Sequence, residues 1–260
     1  MTFLDTFGVI LVAALVGGGS AGLLGVFVIG LRMPFLAVCT AHSALAGAVF
    51  GELFGLGHRL GGFLGAAVGA GALGAVVRRR ALDPNVALGT LFSLSMGLAF
   101  LGIGLSEGPR SALLGLLWGS LLFVDPSQLL WMGGSAAALV AFVVLGDARL
   151  RVLLFSRELA AALFPEGVLF SLFLVLAAAV ITVNLETVGG LMLYSLISNP
   201  AIAALRTARG YPSALALGSL FGALSALGGL LVAYLLDLPA GACIVLVSSA
   251  LVGLVQWRSR

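Results

Sequence analysis

The sequence contains no lysine and very little charge of either sign. Only 9% of its 260 residues are charged and 61% are hydrophobic, whereas a soluble domain carries about 25% charged residues. This scarcity excludes a water-soluble globular domain and predicts an integral membrane protein. Because every basic residue is an arginine, the net charge of +3 says little about nucleic acid, and the informative property is where each arginine lies along the chain.

Several sequence motifs are also absent. There is no GxxxxGK[ST] segment, so the chain is not expected to hydrolyse ATP itself or to be an enzyme, and there is no HExxH, GxSxG or CxxC segment for protease or redox chemistry. Its two cysteines, Cys39 and Cys243, both fall in apolar segments and provide no disulfide framework. The first nine residues, MTFLDTFGV, have no basic region, so we expect them to begin a membrane span and not a cleaved signal peptide.

Long apolar segments fill most of the chain. A membrane-spanning helix needs about 20 apolar residues, and candidate spans occur at 6–31, 35–56, 60–77, 86–106, 127–146, 167–185, 188–205, 213–236 and 241–257. The apolar segment 111–123 is too short to cross and is predicted to be re-entrant or interfacial. The predicted fold is therefore an all-α polytopic membrane protein with about nine transmembrane helices and one short additional helix.

The arginines are distributed asymmetrically along this map. All of them except Arg59 and Arg110 follow alternate spans. The positive-inside rule then places the N-terminus outside and the C-terminus in the cytoplasm. On the same map Asp237 and Pro239 form an outside turn, where Asp237 either attracts a cation at an outer mouth or is a solvated loop carboxylate.

Glycine is abundant, with 37 residues, and it recurs at helical spacing. Gly18 and Gly22 form one small-xxx-small pair, and Gly61, Gly65 and Gly69 form a longer series. Small residues at this spacing allow two membrane helices to approach closely. These glycines therefore predict tight helix packing.

One histidine, His42, lies within a predicted span. It belongs to the segment 31–51, LRMPFLAVCTAHSALAGAVFG, and Cys39 precedes it by one helical turn on the same face. An ionisable side chain inside a membrane span indicates a functional site. Cys39 is either a second ligand or a buried apolar residue. On the span map Cys243 lies near the opposite membrane face, so we do not expect it to share this site.

A second polar stripe lies in the span 188–205, VGGLMLYSLISNPAIAAL. Ser195, Ser198 and Asn199 share one helix face, and Pro200 removes one backbone hydrogen bond. In lipid such a stripe must face protein or water. It therefore either lines a pathway or forms hydrogen bonds between helices.

The longest predicted cytoplasmic loop is Asp147–Glu166. Its segment SRELAAALF has a possible N-cap at Ser156 and an acidic residue, Glu158, in the first turn. Its large apolar side chains share a face: Leu159, Leu163 and Phe164. A short amphipathic helix of this kind either docks on a soluble partner or lies on the bilayer surface.

The chain resembles the integral membrane permease subunit of bacterial zinc and manganese ABC importers. The matching segments follow the family's order and spacing along essentially the whole chain. They are RMPFLAVCTAHSALAG (32–47), LDPNVALGTLFSLSMGLAFL (82–101), LLWGSLLFV (116–124), VGGLMLYSLISNPAIAAL (188–205) and DLPAGACIVL (237–246).

The resemblance implies one permease domain over residues 1–260 in the bacterial cytoplasmic membrane, working as a homodimer by alternating access. Cytoplasmic ABC ATPase subunits would drive transport, an extracytoplasmic solute-binding protein would deliver the metal, and no permanently bound cofactor or nucleic acid is implied. His42 would contact the zinc or manganese ion in transit. The loop 147–166 would contain the coupling helix, with its contact residues at Ser156, Arg157, Glu158, Leu159, Leu163 and Phe164.

The sequence also departs from the family's pattern. The aspartate that commonly precedes the family's histidine by four residues is Val38 here, and another frequent aspartate is Ser120. Ser198 and Asn199 replace usual apolar residues before the matching proline. Losing two carboxylates weakens the case for a hard divalent ion. A metal chelate or other small solute, a proton-driven secondary transporter with His42 as its proton site, and a non-transporting scaffold therefore remain alternatives.

Overall fold

The computed structural model describes residues 3–78, 83–106 and 124–258, and within these ranges the chain forms eleven helices and no strand. The first five are α1 (Phe3–Gly30), α2 (Leu36–Leu53), α3 (His58–Arg78), α4 (Pro84–Leu105) and α5 (Pro126–Leu145). The remaining six are α6 (Asp147–Phe155), α7 (Arg157–Leu163), α8 (Glu166–Val188), α9 (Gly190–Thr207), α10 (Tyr211–Leu236) and α11 (Ala240–Arg258). The all-α prediction is confirmed.

Among the described residues, eight helices are long and apolar enough to cross a membrane. They are α1 to α5, α8, α10 and α11. The helix α9, which covers most of the predicted span 188–205, is not among them. The segment 111–123, predicted to be re-entrant or interfacial, lies outside the described residues.

Glycine contacts hold the bundle together, as the small-xxx-small spacing predicts. A Cβ atom added to Gly18 would lie 2.5 Å from the carbonyl oxygen of Gly222, and Gly22 meets Gly218 in the same way. Going from the first contact to the second, the residue number rises along α1 and falls along α10. These two helices are therefore antiparallel. A Cβ atom on Gly61 would lie 2.7 Å from the Cα atom of Gly51, so α2 and α3 also touch through their backbones.

The bundle has two chemically different ends. At one end the α1–α2 turn, α6 and the α9–α10 turn carry basic residues, and we call this the arginine end: Arg32, Arg149, Arg151, Arg206 and Arg209. The opposite end carries the end of α2, the start of α3 and the end of α8, where Glu52, Arg59 and Glu186 lie. This grouping follows the arginine asymmetry of the sequence.

The boundary between α8 and α9 differs from the prediction. The sequence places the break between the predicted spans at Asn184–Thr187, but α8 continues to Val188 and the break is at Gly189, which has a φ of 88°. The polar side chains do not interrupt the helix because they bond within it. Asn184 Nδ2 donates to the carbonyl oxygen of Val180 at 2.8 Å, and Thr187 Oγ1 donates to that of Asn184 at 3.1 Å.

Three further local features refine the predicted map. Helix α3 starts at His58, two residues before the predicted span, so this histidine is not in a loop. Helix α9 continues through Pro200. The loop after α5 begins with a helix of its own, α6, which the sequence analysis did not identify.

Candidate functional site

The turn between α1 and α2 determines where the histidine-bearing helix begins. Arg32 has a left-handed backbone conformation with a φ of 58°, and its carbonyl oxygen accepts a hydrogen bond from Asn85 Nδ2 at 3.1 Å. Pro34 follows the turn, and α2 starts at Leu36. Because most residues of α2 are buried, His42 is carried into the interior of the bundle.

The ring of His42 is only 2% exposed and is held from two sides. Its Nδ1 lies 2.9 Å from the carbonyl oxygen of Val38. Since a carbonyl can only accept, Nδ1 carries the proton, and in the neutral ring Nε2 keeps its lone pair. The ring of Phe92 on α4 packs edge-on at a centroid distance of 4.9 Å and an angle of 80°.

This arrangement prepares the imidazole to act as a ligand. Histidines that bind metals usually donate their second N–H to a carboxylate or to a backbone carbonyl, which fixes the orientation of the ring. Val38 occupies the position where the resemblance expects an aspartate, and its backbone supplies that acceptor. The His42 ring therefore has an orienting partner even though the carboxylate is missing.

A short polar chain runs beside the histidine and links α2 to α4. Cys39 lies one helical turn before Ser43 on the same face of α2. Ser43 Oγ lies 2.9 Å from Ser95 Oγ on α4. All three residues are buried, and the thiol is free. The residues on this side of α2 thus offer sulfur and oxygen atoms, as well as the nearby imidazole nitrogen.

A cleft of about 380 Å³ between α2, α3 and α4 reaches this polar chain. Ser43 and Ser95 contribute its hydroxyl groups, while the other walls are glycines and apolar side chains. The neighbouring His42 and Cys39 are not part of its lining. The cleft therefore gives access to the Ser43–Ser95 hydroxyl pair. His42 directly precedes Ser43 in the chain and does not line the cleft.

The described residues contain no group of three or more His, Cys, Asp or Glu side chains that could hold a metal ion. Cys39 lies in the first turn of α2, near the arginine end, and Cys243 lies in the first turn of α11. Since α10 is antiparallel to α1 and leads directly into α11, Cys243 is at the opposite end of the bundle. The two thiols do not share a site, as the sequence predicts.

The second polar stripe forms hydrogen bonds between α9 and α11. Asn199 Nδ2 lies 2.9 Å from Ser195 Oγ, 3.1 Å from Ser248 Oγ and 3.0 Å from Ser249 Oγ. Ser195 and Ser248 are themselves 3.0 Å apart. The serines of α11 were missed by the sequence analysis, although the pair Ser248–Ser249 is the only polar dipeptide in that predicted span.

Ser198 behaves differently from the other two residues of the stripe. It is buried, and its hydroxyl oxygen has no hydrogen-bond partner among the described atoms. A buried hydroxyl without a partner is unfavourable by about 1–3 kcal/mol. Of the three stripe residues, Ser198 is thus the one whose polar atom is left without a protein partner.

The predicted N-cap in the loop 147–166 is confirmed. Ser156 Oγ accepts the backbone N–H of Leu159 at 3.2 Å and donates to Glu158 Oε2 at 2.7 Å. Arg157 anchors the start of α7, since its Nη2 lies 3.5 Å from Glu166 Oε2 and its guanidinium lies 4.4 Å from the centre of the Phe170 ring.

The same loop presents large apolar side chains to the outside of the bundle. Leu159 is 44% and Leu163 64% exposed, whereas Phe164 is half-buried against the core. Phe155 at the end of α6 is 84% exposed and was not identified from the sequence. We call Phe155, Leu159 and Leu163 the loop patch.

A polar cluster at the end opposite the arginines was also missed by the sequence analysis. Glu186 Oε2 lies 3.3 Å from Arg59 Nε and 3.2 Å from Gln128 Nε2, and Glu186 Oε1 lies 3.7 Å from His58 Nε2. His58 Nδ1 in turn donates to Glu52 Oε1 at 3.0 Å. This cluster explains why Arg59 departs from the arginine asymmetry, because it is paired with a carboxylate.

Asp237 lies where the sequence places it, in the turn between α10 and α11. It is exposed and adopts a left-handed conformation with a φ of 52° as the C-cap of α10. The other sequence-predicted residues divide into two groups. His42 and Cys39 lie together on α2, and Ser195 and Asn199 of the α9 stripe face α11.

Comparisons with known proteins give one consistent family. The family described as "ABC 3 transport family" matches residues 4–258. The "Manganese transport system membrane protein MntC" of Halalkalibacterium halodurans is 27% identical over 250 residues, which cover 96% of this chain and 86% of that protein. The "High-affinity zinc uptake system membrane protein ZnuB" of Haemophilus influenzae is 26% identical over 232 residues, covering 88% of each chain.

A solved structure has the same fold. In "PsaBC from Streptococcus pneumoniae in complex with Fab", the matched chain superimposes with a TM-score of 0.85 at 24% identity. The match covers 96% of this chain and 90% of that one. The arrangement of helices described above is therefore shared along nearly the whole length of both chains.

Proposed function

This chain belongs to the ABC 3 transport family, and from that premise we infer that it is the multi-pass membrane permease of an ABC importer for zinc or manganese. The observation that carries this inference is the extent of the match, which runs from residue 4 to residue 258. Relatives that cover most of the chain bear manganese and zinc transport names. The energy would come from a separate ABC ATPase, because the sequence has no ATP-binding motif.

The proposed topology has nine membrane spans. Eight helices of the described residues meet the length and apolarity expected of a span, and α9 would be the ninth, with its polar stripe shielded from lipid by α11. The arginine end would face the cytoplasm and the N-terminus would lie outside. In this orientation Asp237 and the cluster around Glu186 would face the solute-binding protein.

The loop patch would be the contact with the ATPase. Phe155, Leu159 and Leu163 present apolar surface next to the capped start of α7, and Arg157 fixes that start to α8 through Glu166. An interface needs exposed apolar anchors on a rigid support. Movement of the ATPase would thereby be passed to α8 and used for alternating access.

The metal would be transferred through a weak site that includes His42. Its Nδ1–H is bound to Val38, which leaves Nε2 for a passing ion. Cys39 and the Ser43–Ser95 pair would offer further sulfur and oxygen atoms beside it. A homodimer would bring two such sets to one axis. A transfer site of this kind need not bind tightly.

A metal chelate is the second candidate cargo. The described residues hold no set of three metal-ligating side chains, and a structural zinc site needs four ligands. A permease that carries a chelate would not need to coordinate the metal directly. Uptake of the chelate with no uptake of the free ion would favour this candidate.

Deletion of the chain in its own host tests the proposed function. We expect the zinc or manganese content of the deletion strain, measured by elemental analysis in metal-poor medium, to fall and to be restored by the wild-type gene. A strain with an inactive partner ATPase serves as the control and should show the same loss. Unchanged content of both metals in the two strains would contradict the proposal.

A further inference from the structure

A second pocket, unrelated to the cleft at α2, opens at the arginine end of the bundle. It has a volume of about 400 Å³ and lies between α1, α6, α9 and α10. We call it the arginine-end pocket. Its lining residues are mainly apolar, and those used below are Val26, Leu154, Leu205, Arg151 and Tyr211. The pocket shares no lining residue with the cleft.

The polar part of the pocket consists of one cation and one hydroxyl. The guanidinium of Arg151 lies over the ring of Tyr211 at 5.1 Å from its centre. Asp147, one helical turn earlier, is paired with the guanidinium through two contacts: Arg151 Nη2 lies 2.8 Å from Asp147 Oδ2 and Arg151 Nε donates to Asp147 Oδ1 at 3.2 Å. The Tyr211 hydroxyl oxygen is buried and lacks a hydrogen-bond partner among the described atoms.

The surroundings of the pocket are positively charged. Arg206 in the last turn of α9 and Arg209 in the following turn are both exposed beside it. The long helix α10 begins at Tyr211, and a helix N-terminus attracts anions. Arg206 and Arg209 thus add positive charge next to the Arg151–Asp147 pair.

We propose that the arginine-end pocket binds an anionic phospholipid. Its phosphate would lie at Arg151 and the Tyr211 hydroxyl, and an acyl chain would follow Val26, Leu154 and Leu205. Basic pockets between membrane helices on the cytoplasmic side bind anionic lipid headgroups. A soluble phosphate would make no contact with the apolar wall. A phospholipid would contact Arg151 through its phosphate and the apolar wall through an acyl chain. The site lies at the ends of spanning helices, where lipid headgroups are found.

The occupied pocket would also support the loop patch. Leu154 and Phe155 are consecutive residues at the end of α6, and both line the pocket. A bound lipid would therefore fix the end of α6 against α1 and α10. This inference does not depend on the transported metal, so it can fail while the proposed function holds.

Native mass spectrometry of the permease–ATPase complex in detergent tests this proposal. Dioleoyl phosphatidylglycerol would be compared with dioleoyl phosphatidylcholine on the wild type, on Arg151→Gln and on the matched control Arg149→Gln. Arg149 is exposed and lies outside the pocket lining, yet its replacement removes the same charge. We expect Arg151→Gln to weaken phosphatidylglycerol binding about fivefold and Arg149→Gln to leave it within about twofold.

A second variant keeps the test decisive if Arg151→Gln does not assemble. Tyr211→Phe retains the ring beneath Arg151 and removes only the unpartnered hydroxyl, and it should lower the preference for phosphatidylglycerol at least about twofold. Equal binding of the two lipids by the wild type, or equal losses in the Arg151 and Arg149 variants, would overturn the proposal. It would also be overturned if Arg151→Gln weakened association with the ATPase and left lipid binding unchanged, because the pocket would then belong to that interface.

Discussion

At the scale of single residues, the chain keeps its buried imidazole oriented without the usual carboxylate. His42 Nδ1 is held by the carbonyl oxygen of Val38 at 2.9 Å, and Phe92 closes one side of the ring. A backbone acceptor fixes the tautomer as a carboxylate would, but it adds no negative charge to the site. A metal site at His42 would therefore be less attractive to hard divalent ions than one that contains aspartate.

His42→Ala should reduce metal uptake by at least about tenfold in an assembled complex, because it removes the only imidazole inside the predicted spans. Uptake of radioactive zinc or manganese into cells, divided by the amount of complex in the membrane, measures this effect. The wild type is the reference, because the other histidine, His58, belongs to the cluster around Glu186 and is not a neutral control. Uptake by the His42 variant equal to that of the wild type would remove His42 from the pathway.

At the scale of helices, close contact of α2 and α3 depends on particular glycines and not on glycine content. Gly61→Ala places a methyl group 2.7 Å from the Cα atom of Gly51. We expect a loss of about 1–3 kcal/mol in stability, seen as a lower melting temperature in detergent. Gly71→Ala on the same helix meets nothing within 4 Å and should be neutral or slightly stabilising. A neutral Gly61→Ala variant would show that the helices are further apart.

The start of α5 is held by a carboxylate whose contacts depend on ionisation. The Ser127 hydroxyl donates to Asp125 Oδ1 at 2.6 Å and the backbone N–H of Gln128 does so at 2.8 Å. These hydrogen bonds, with the Ser127 bond first, hold the pKa of Asp125 below its ordinary value of 3.8. Because the folded protein favours the ionised form, Asp125 stabilises it fully above the unfolded pKa and loses this effect as the pH falls through the folded pKa.

Asp125→Asn should separate capping from charge. Asparagine caps a helix about as well as aspartate, so the melting temperature near pH 7 should change little. As the pH is lowered through 4 and below, the wild type should lose stability that the variant does not lose. Thermal unfolding in detergent across this range measures the difference. Parallel curves for the two proteins at all pH values would contradict the cap assignment.

The helical layout could be predicted from the sequence because apolar length and glycine spacing are local properties. The N-cap at Ser156 is equally local, and it is confirmed. The break at Gly189 was missed because Asn184 and Thr187 look like loop residues but bond to their own helix. Helix α6 was missed because Arg149 and Arg151 interrupt its apolar residues, so the apolar side that ends in Phe155 is not apparent in the sequence.

At the scale of the whole molecule, the contacts that the sequence could not reveal join residues far apart in the chain. Ser43 meets Ser95, Asn199 meets Ser248, and Glu186 meets Arg59. Each pair depends on which helices are neighbours, and periodicity along one helix does not contain that information. Hence the sequence shows that His42 and Cys39 share one face of a helix, whereas the hydroxyl pair Ser43–Ser95 required the packed bundle.

Association with the ATPase should depend on the loop patch. Leu159→Glu places a charge on the exposed face of α7 and should weaken association by at least about tenfold, as expected for an apolar anchor. Ala161→Glu is the matched control, because Ala161 is exposed on the same helix outside the patch. Co-purification of the two subunits measures the effect. Equal losses in both variants would indicate a general effect of charge and not a specific contact.

ATP-dependent uptake into proteoliposomes tests the central claim most directly. The chain would be reconstituted with its ATPase and solute-binding protein and offered zinc, manganese and other divalent ions. We expect zinc or manganese to accumulate only with ATP, and not with a catalytically inactive ATPase. A complex that hydrolyses ATP but moves no ion, or uptake that follows a proton gradient without ATP, would contradict the assignment as a metal importer.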